Sequence, residues 1–381
     1  MNPTWFMYNG LTQFEPLPAH SWGKYTLNQI FQLQSSPKFF SVVDGPLFVK
    51  RLDVGLDLVM VPNPNFSGTH VHFDRLIFKF LESDGEAVEG VESRDLDMAN
   101  VPDALWSAVQ HLPGIHLVTL PPGQDYNEIA LNFRDPAMVF FRDVRVREAM
   151  ADALDQAGMI KLVYHGLGVK IHGPVPPVPP TFLSPEMKAG NYPVGYDPAK
   201  ARALLKQAGF APGPDGIMEK GGKKLSFTYL MSSGDALIEQ SAEYEQADFA
   251  KVGIQMKIHE IEFNQMLALL NNPHAHWEAA GLAESLGGYP SGELLFKSGS
   301  AYNSGGYSNA EMDKLIEEST EAPGLTGLYA YENFASAQQP VIFVAREQTS
   351  VLSNNRIRGV QKFVDSIGNY YPDALFCPAG H

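Results

Sequence analysis

Cysteine is almost missing from this chain: Cys377 stands alone among 381 residues, which excludes an intramolecular disulfide and any Cys-x-x-Cys metal or redox site. Positive charge is scarce as well. Twenty-eight Lys and Arg against 43 Asp and Glu give a formal net charge of −15, and no basic block interrupts the chain, so an extended nucleic-acid surface is excluded. No apolar run approaches the roughly 20 residues of a bilayer span. The opening MNPTWFMYNG has neither the basic nor the apolar region of a secretory signal. GxSxG, HExxH and the Walker P-loop pattern are absent, and the Ser-x-x-Lys matches at Ser21 and Ser35 carry Gly or Pro where a helix is required. No internal repeat is apparent, and low complexity is confined to the proline-rich passage 174–180.

What is present is core-forming material: 44% hydrophobic residues over this length suffice for two or three domains. The most legible stretch is 131–210. Asp143 is placed to cap a helix in which Val146, Met150, Ala153, Leu154 and Ala157 keep the i, i+3, i+4, i+7 spacing, until Gly158 stops it. Five prolines between Pro174 and Pro180 then force an extended crossing. A second helix follows, with Asp197 as N-cap, Pro198 in the first position, Ala201, Leu204, Leu205 and Ala208 as buried stripe, and Gly209 just past its end.

Elsewhere, period-two alternation around Leu47, Val49, Leu52, Leu56, Leu58 and Val59 predicts strands turning near Gly55. Residues 225–231, 235–251 and 254–261 read as strand, helix and strand, a right-handed βαβ unit. A buried strand over 277–282 leads into a loop rich in Gly and Ser over 284–306, after which Ser308 and Glu311 form a capping box. A helix over 329–337 and an apolar strand over 341–344 complete an α/β pattern.

The order of four segments carries further meaning: N-F-R at 132–134, D-V-R-V-R-E-A at 143–149, G-P-V-P-P at 173–177, and Y-D-P-A-K-A-R-A-L-L-K-Q-A-G-F at 196–210. Together they resemble the dipeptide- and oligopeptide-binding proteins of ABC importers, extracellular solute-binding protein family 5. P-L-P-A-H-S-W at 16–22, V-D-G-P at 43–46 and N-P-N-F at 63–66 are similar to further family segments. The resemblance implies an α/β, two-lobed periplasmic-binding-protein fold of the class II, oligopeptide-binding type, with mixed sheets flanked by helices. Residues 1–133 and 347–381 would form one lobe and 134–346 the other, closing around a ligand by hinge motion. It further implies a peptide or related small-molecule ligand, a membrane permease as partner, a monomer, no cofactor, no metal and no catalysis. The implied location is periplasmic, or the extracellular face of the cytoplasmic membrane. In the family the 16–22 segment follows a whole domain, so the resemblance implies a longer natural protein with its signal or lipid anchor upstream.

The expected ligand wall is the stretch 277–307, where Trp277, Tyr289, Tyr302 and Tyr307 stand among seven glycines. In the peptide-binding relatives an aspartate here pairs with the peptide's amino terminus; in this chain the position in register is Leu286, and Glu284, followed by Ser285, is the nearest acid. Asn303 joins this group. The crossings between lobes would bring Asn132, Arg134, Arg346 and Glu347 to the ligand. Because Leu286 departs from the pattern, a neutral oligosaccharide stacked on the aromatic rings is the alternative ligand, and a hydrolase using Glu284 as base is the rival activity. The pairs His70/His72 and His274/His276 have no third ligand placed by sequence, and surface histidines are the plainer account.

Overall fold

The structure, a computed structural model, describes residues 2–7, 18–33, 42–81, 83–101, 105–286, 288–365 and 370–378. The chain divides into two compact units, Met1–Gln13 with Pro122–Gln348 and Phe14–Pro121 with Thr349–His381.

A five-stranded sheet underlies the first unit. Its strands are β1 (Asp125–Leu131), β2 (Ser226–Ser232), β3 (Gln255–Ile261), β4 (Ala279–Ser285) and β5 (Ile342–Val344), in the order β3-β2-β4-β1-β5. Strand β2 is parallel to β3 and β4, whereas β1 is antiparallel to both its neighbours, β4 and β5.

The helices follow from their caps and apolar stripes. Helix α1 (Val144–Ala153) starts where the Asp143 carboxylate accepts from Arg145 N at 3.1 Å, and it buries Val146, Ala149, Met150 and Ala153. The single helix expected to run on to Gly158 is in fact two. Asp155 Oδ1 accepts from Gly158 N at 2.9 Å and opens α2 (Gln156–Leu162), so a local cap overrides the continuing apolar period. Gly158 lies inside α2, where a Cβ would come 2.1 Å from the Tyr244 hydroxyl; it permits close packing rather than ending a helix.

Helix α3 (Pro198–Gln207) forms as its sequence predicts, with the Asp197 carboxylate accepting from Ala199 N and Lys200 N, Ala201 and Leu205 fully buried, and Gly209 at φ +92°. Helix α4 (Ala236–Lys251) makes the βαβ crossover from β2 to β3. Helix α5 (Phe263–Leu270) places Met266 and Leu270 over Ala130, Leu230, Trp277 and Ala280 as a small separate core. The cap of α6 (Ala310–Glu321) is Asn309, whose Oδ1 accepts from Glu311 N and Met312 N. Ser308, expected as the cap, instead accepts from the Ser298 hydroxyl. Helix α7 (Thr326–Gln338) leads into β5.

The division between units falls at 121/122 and 348/349, not at 133 and 346. The reason is β1, which is hydrogen-bonded between β4 and β5; a boundary at 133 would remove an interior strand from the sheet. Phe133 accordingly packs in the core of the first unit.

The second unit holds two antiparallel three-stranded sheets. One joins Leu47–Asp53, Asp57–Pro62 and Leu76–Lys79, with the expected turn at Gly55. The other places Ser350–Asn354 between Met98–Asn100 and Ile115–Thr119, against a helix, Asp84–Ser93, that buries Val91 on Leu352. Of the helix expected near Pro102, Trp106–Val109 is seen, and 102–104 lie outside the described residues, as do 16 and 17 of the P-L-P-A-H-S-W segment.

Candidate functional site

Alternation along β1 sends Tyr126, Glu128 and Ala130 to one face of the sheet. On β4, Leu282 lies opposite Glu128, and Glu284 lies opposite Tyr126. Glu128 and Glu284 are therefore diagonal neighbours on one face, within the reach of long side chains. Phe343 of β5 lies opposite Glu128, and its ring meets Tyr126 edge-on at 5.1 Å and Phe296 at 6.2 Å.

Over this face folds the loop 289–307, held by backbone contacts. The Asn303 carboxamide donates to Tyr307 O at 2.8 Å and Lys297 O at 3.2 Å, and accepts from Tyr307 N at 3.0 Å. Phe133 N donates to Gly305 O at 2.9 Å, and Gly305 approaches the end of β1 so closely that a Cβ would lie 2.2 Å from Leu131 O. Arg134 donates to Ser304 O at 2.5 Å and Asn303 O at 3.1 Å. Between loop and sheet a cavity of about 20 Å³ remains, lined by Glu128, Glu284, Phe296, Tyr302, Asn303 and Tyr307 among others. Such a space accommodates roughly one water-sized group.

The electrostatics of the cavity are one-sided. Glu128 is 6% exposed, and its Oε2 is buried without a hydrogen-bond partner. Burial, then the Glu284 carboxylate, push the Glu128 carboxyl well above the usual carboxylate range, and burial raises Glu284 too. The buried Tyr126 and Tyr331 hydroxyls also lack partners, and Tyr126 feels the charge of both glutamates.

Of the residues expected at the site, Glu284, Asn303, Tyr307 and Tyr302 are brought together here. Two are corrected. Trp277 is 4% exposed and lies in the small core under α5, because β4 begins only at Ala279 and leaves Trp277 facing Met266 and Leu270. Tyr289 is buried as well: its hydroxyl donates to Ser319 O at 3.0 Å and accepts from Asn2 Nδ2, and its ring meets Phe182, so it anchors the loop's start and is not a ligand wall. Asn132 holds a turn, donating to Trp277 O and accepting from Arg134 N. Ser285 is exposed at the end of β4. Arg346 and Glu347 pair with each other beside Asp125 and Asn127, on the opposite face of β1. Among the described residues no group of three His, Cys, Asp or Glu is placed to hold a metal. Sequence reasoning missed Glu128, although a lone acid in an apolar strand, N-E-I-A-L, was the available signal.

Solved structures share this architecture. The oligopeptide-binding protein AppA from Bacillus subtilis, in complex with a nonapeptide, superposes with a TM-score of 0.75 at 22% identity, covering 97% of this chain and 73% of that one. The ABC transporter substrate binding protein CtaP from Listeria monocytogenes gives 0.80 at 15% identity, covering 99% and 74%. The fold is thus that of the two-lobed α/β solute-binding proteins. In sequence, AppA of Bacillus subtilis (strain 168) is 26% identical over 324 residues, 82% of this chain and 57% of AppA. The oligopeptide-binding protein OppA of Lactococcus lactis subsp. lactis (strain IL1403) is 26% identical over 321 residues, 77% of this chain and 52% of OppA. The chain therefore spans about half the length of these curated relatives. Residues 27–293 match the model for bacterial extracellular solute-binding proteins, family 5 (middle region), and the chain belongs to that family.

Proposed function

We propose that this chain is the solute-binding component of an ABC importer. It takes up a peptide or related small solute outside the cytoplasmic membrane and delivers it, as a monomer, to the importer's permease. The observation that carries this reading is the family match over residues 27–293. Relatives named as oligopeptide-binding proteins support the peptide, and so does a carboxylate, Glu284, facing a cavity that can receive a cationic end. No covalent chemistry is involved: the solute is held by desolvation, hydrogen bonds and charge. The oligosaccharide reading loses its main support, because Trp277 and Tyr289, two of the rings meant for sugar faces, are spent in packing.

The test is native mass spectrometry of the full chain after incubation with a defined mixture of tripeptides. Intact peptide retained at one per chain is the expected outcome. Recovery of cleaved peptide would mean an enzyme, and retention of no peptide would overturn the reading. Glu284→Gln should weaken peptide binding by about 2 kcal/mol or more, roughly 30-fold, since it removes the anion from a desolvated contact.

A further inference from the structure

The second unit carries a groove that the solute-binding reading leaves unused. We propose that this groove binds an organic phosphate, an anionic head on an apolar body, with Arg358 and Lys362 meeting the head and Phe376 and its apolar neighbours covering the body. Its occupancy is independent of which solute the chain delivers.

The groove is built by the turn that follows the strand Ser350–Asn354. Alternation sets Leu352 against Val91 and sends Val351 and Ser353 to the opposite face, where the register places Val118 opposite Val351 and His116 opposite Ser353. On that face Val351 packs with Val118, Ile357, Val360 and Phe73. Beyond the strand, Gly359 lies at φ +87°, and a Cβ there would come 1.8 Å from Ala374 O, so glycine is required for the turn to approach the segment 370–378 this closely. Two backbone bonds seal the approach: Arg358 N donates to Phe376 O at 2.9 Å, and Phe376 N donates to Arg358 O at 3.2 Å. Residues paired in this way project to the same side, so a guanidinium is set beside an aromatic ring. Lys362 follows one turn later, its N donating to Gly359 O at 2.9 Å.

The resulting cavity measures about 790 Å³, in the range of small-molecule sites. Val118, Ile357, Val360 and Phe376 give it an apolar wall, and Phe376 is 44% exposed, open to an occupant. The polar side is cationic. Although the chain carries a formal charge of −15, Arg358, Lys362, His72 and His116 line this groove against one acid among the described residues, Asp373. Neither strong cation is neutralised: among the described residues neither has a carboxylate within ion-pair distance, and Arg358 Nη1 reaches Ile357 O at 3.3 Å. Arg356, two residues earlier, is by contrast held by Asp97 at 2.7 Å.

These groups select the ligand. Of the pair His70/His72, His70 meets the Phe66 ring edge-on while His72 lines the groove, and no third metal ligand joins His72 and His116 among the described residues. Imidazole N–H groups, a guanidinium fork and an ammonium together suit phosphate oxygens. Inorganic phosphate would leave the apolar wall wet, whereas a hydrocarbon body covers it, and about two buried methylenes are worth tenfold in affinity. Because the cations are exposed, salt screens the attraction.

The experiment is equilibrium dialysis of the full chain at low ionic strength against hexyl phosphate, inorganic phosphate and hexylammonium. One hexyl phosphate should bind per chain, at least tenfold more tightly than either other probe, and added salt should weaken it. The double variant Arg358→Gln with Lys362→Gln should lose at least tenfold in affinity. Phe376→Ser should weaken hexyl phosphate but leave inorganic phosphate unchanged. Lys257→Gln, an equal change of charge on the exposed side of β3 in the first unit, should have no effect. Arg358 and Lys362 are exposed, so the double variant should melt with the wild type. No binding of hexyl phosphate by the wild type, equal binding of hexylammonium, or unaltered binding by the double variant overturns the proposal. Vesicles separate the two sources of such an anion. Flotation of the chain with phosphatidylglycerol vesicles but not with phosphatidylcholine vesicles, lost in the double variant, identifies a lipid headgroup; hexyl phosphate binding without flotation identifies a free organic phosphate.

Discussion

Replacing Arg147 by Met should destabilise the first unit by about 4 kcal/mol. Arg147 is 3% exposed, and its partners are carbonyl oxygens: Nε donates to Gln338 O at 2.8 Å and Gln339 O at 2.9 Å, and Nη1 donates to Phe141 O at 2.7 Å. The guanidinium also lies 5.5 Å from the Phe133 ring and 5.8 Å from the Tyr307 ring. It thereby ties the segment before α1 to the end of α7. Burial lowers the pKa of Arg147 from its ordinary value, but so strong a base stays charged, and hydrogen bonds from a charged donor are worth about 1.5–3 kcal/mol each. Methionine fills the volume and leaves three carbonyls without this donor, at about 1–3 kcal/mol apiece, which relaxation lowers to about 4 in total. Lysine keeps the charge but not the fork that spans carbonyls on two elements, so Arg147→Lys should lose about 2 kcal/mol. Urea unfolding of the full chain, read by fluorescence and by hydrogen exchange within 297–307, measures both variants. A loss below about 1 kcal/mol in Arg147→Met, or an Arg147→Lys variant indistinguishable from wild type, would refute the view that the fork secures this corner.

Two further outcomes follow from buried polar groups. Glu245 is buried, which pushes its carboxyl from 4.5 up to about 8. Its stabilising contribution is therefore complete below pH 4.5 and is lost as pH rises through about 8. At about 1.4 kcal/mol per pH unit, that interval is worth up to about 5 kcal/mol. Glu245→Gln should remove this decline, so melting curves of variant and wild type must separate between pH 5 and 8; parallel curves would contradict the assignment. Asn303→Ala deletes three hydrogen bonds that hold the loop, and should cost about 2–3 kcal/mol and expose 297–307 to limited proteolysis before the sheet is cut, with an unchanged cleavage pattern counting against it.

How much of this was readable in the sequence depends on how local the determining physics is. Helix α3 was fully legible, because cap, proline, stripe and terminal glycine lie within 13 residues. The βαβ unit was legible for a similar reason, since alternation and amphipathic spacing are both short-range. The break between α1 and α2 was missed because Leu154 and Ala157 continue the apolar period, while the Asp155 cap that interrupts it is a choice between two acceptable local structures. Asn309 likewise won the cap of α6 from Ser308 by one residue. The unit boundary was missed at β1, whose place inside the sheet depends on partners about 150 and 215 residues away. Aromatic content singled out 277–307 as the ligand wall, yet composition does not say which rings face the core. Trp277 and Tyr289 went inward, whereas Tyr302 is 69% exposed.

Glu128 shows that burial alone does not tell whether the fold supplies a buried acid with a partner. Three glutamates in the first unit, Glu128, Glu245 and Glu332, are nearly inaccessible, and burial raises the pKa of each. Two of them have a donor supplied by the fold. Ser184 N donates to Glu332 Oε2 at 2.6 Å, and the Tyr229 hydroxyl bonds to Glu245. Those contacts repay part of the desolvation inside the protein, as expected of polar groups kept for structure. Glu128 has no such donor among the described residues, and its nearest charged neighbour is another carboxylate, which adds to the cost. A fold that wanted only a packed strand would place leucine or tyrosine at 128, between Phe343 and Leu282. Retaining an acid there leaves its desolvation uncompensated within the fold, beside the cavity between β1, β4 and the loop.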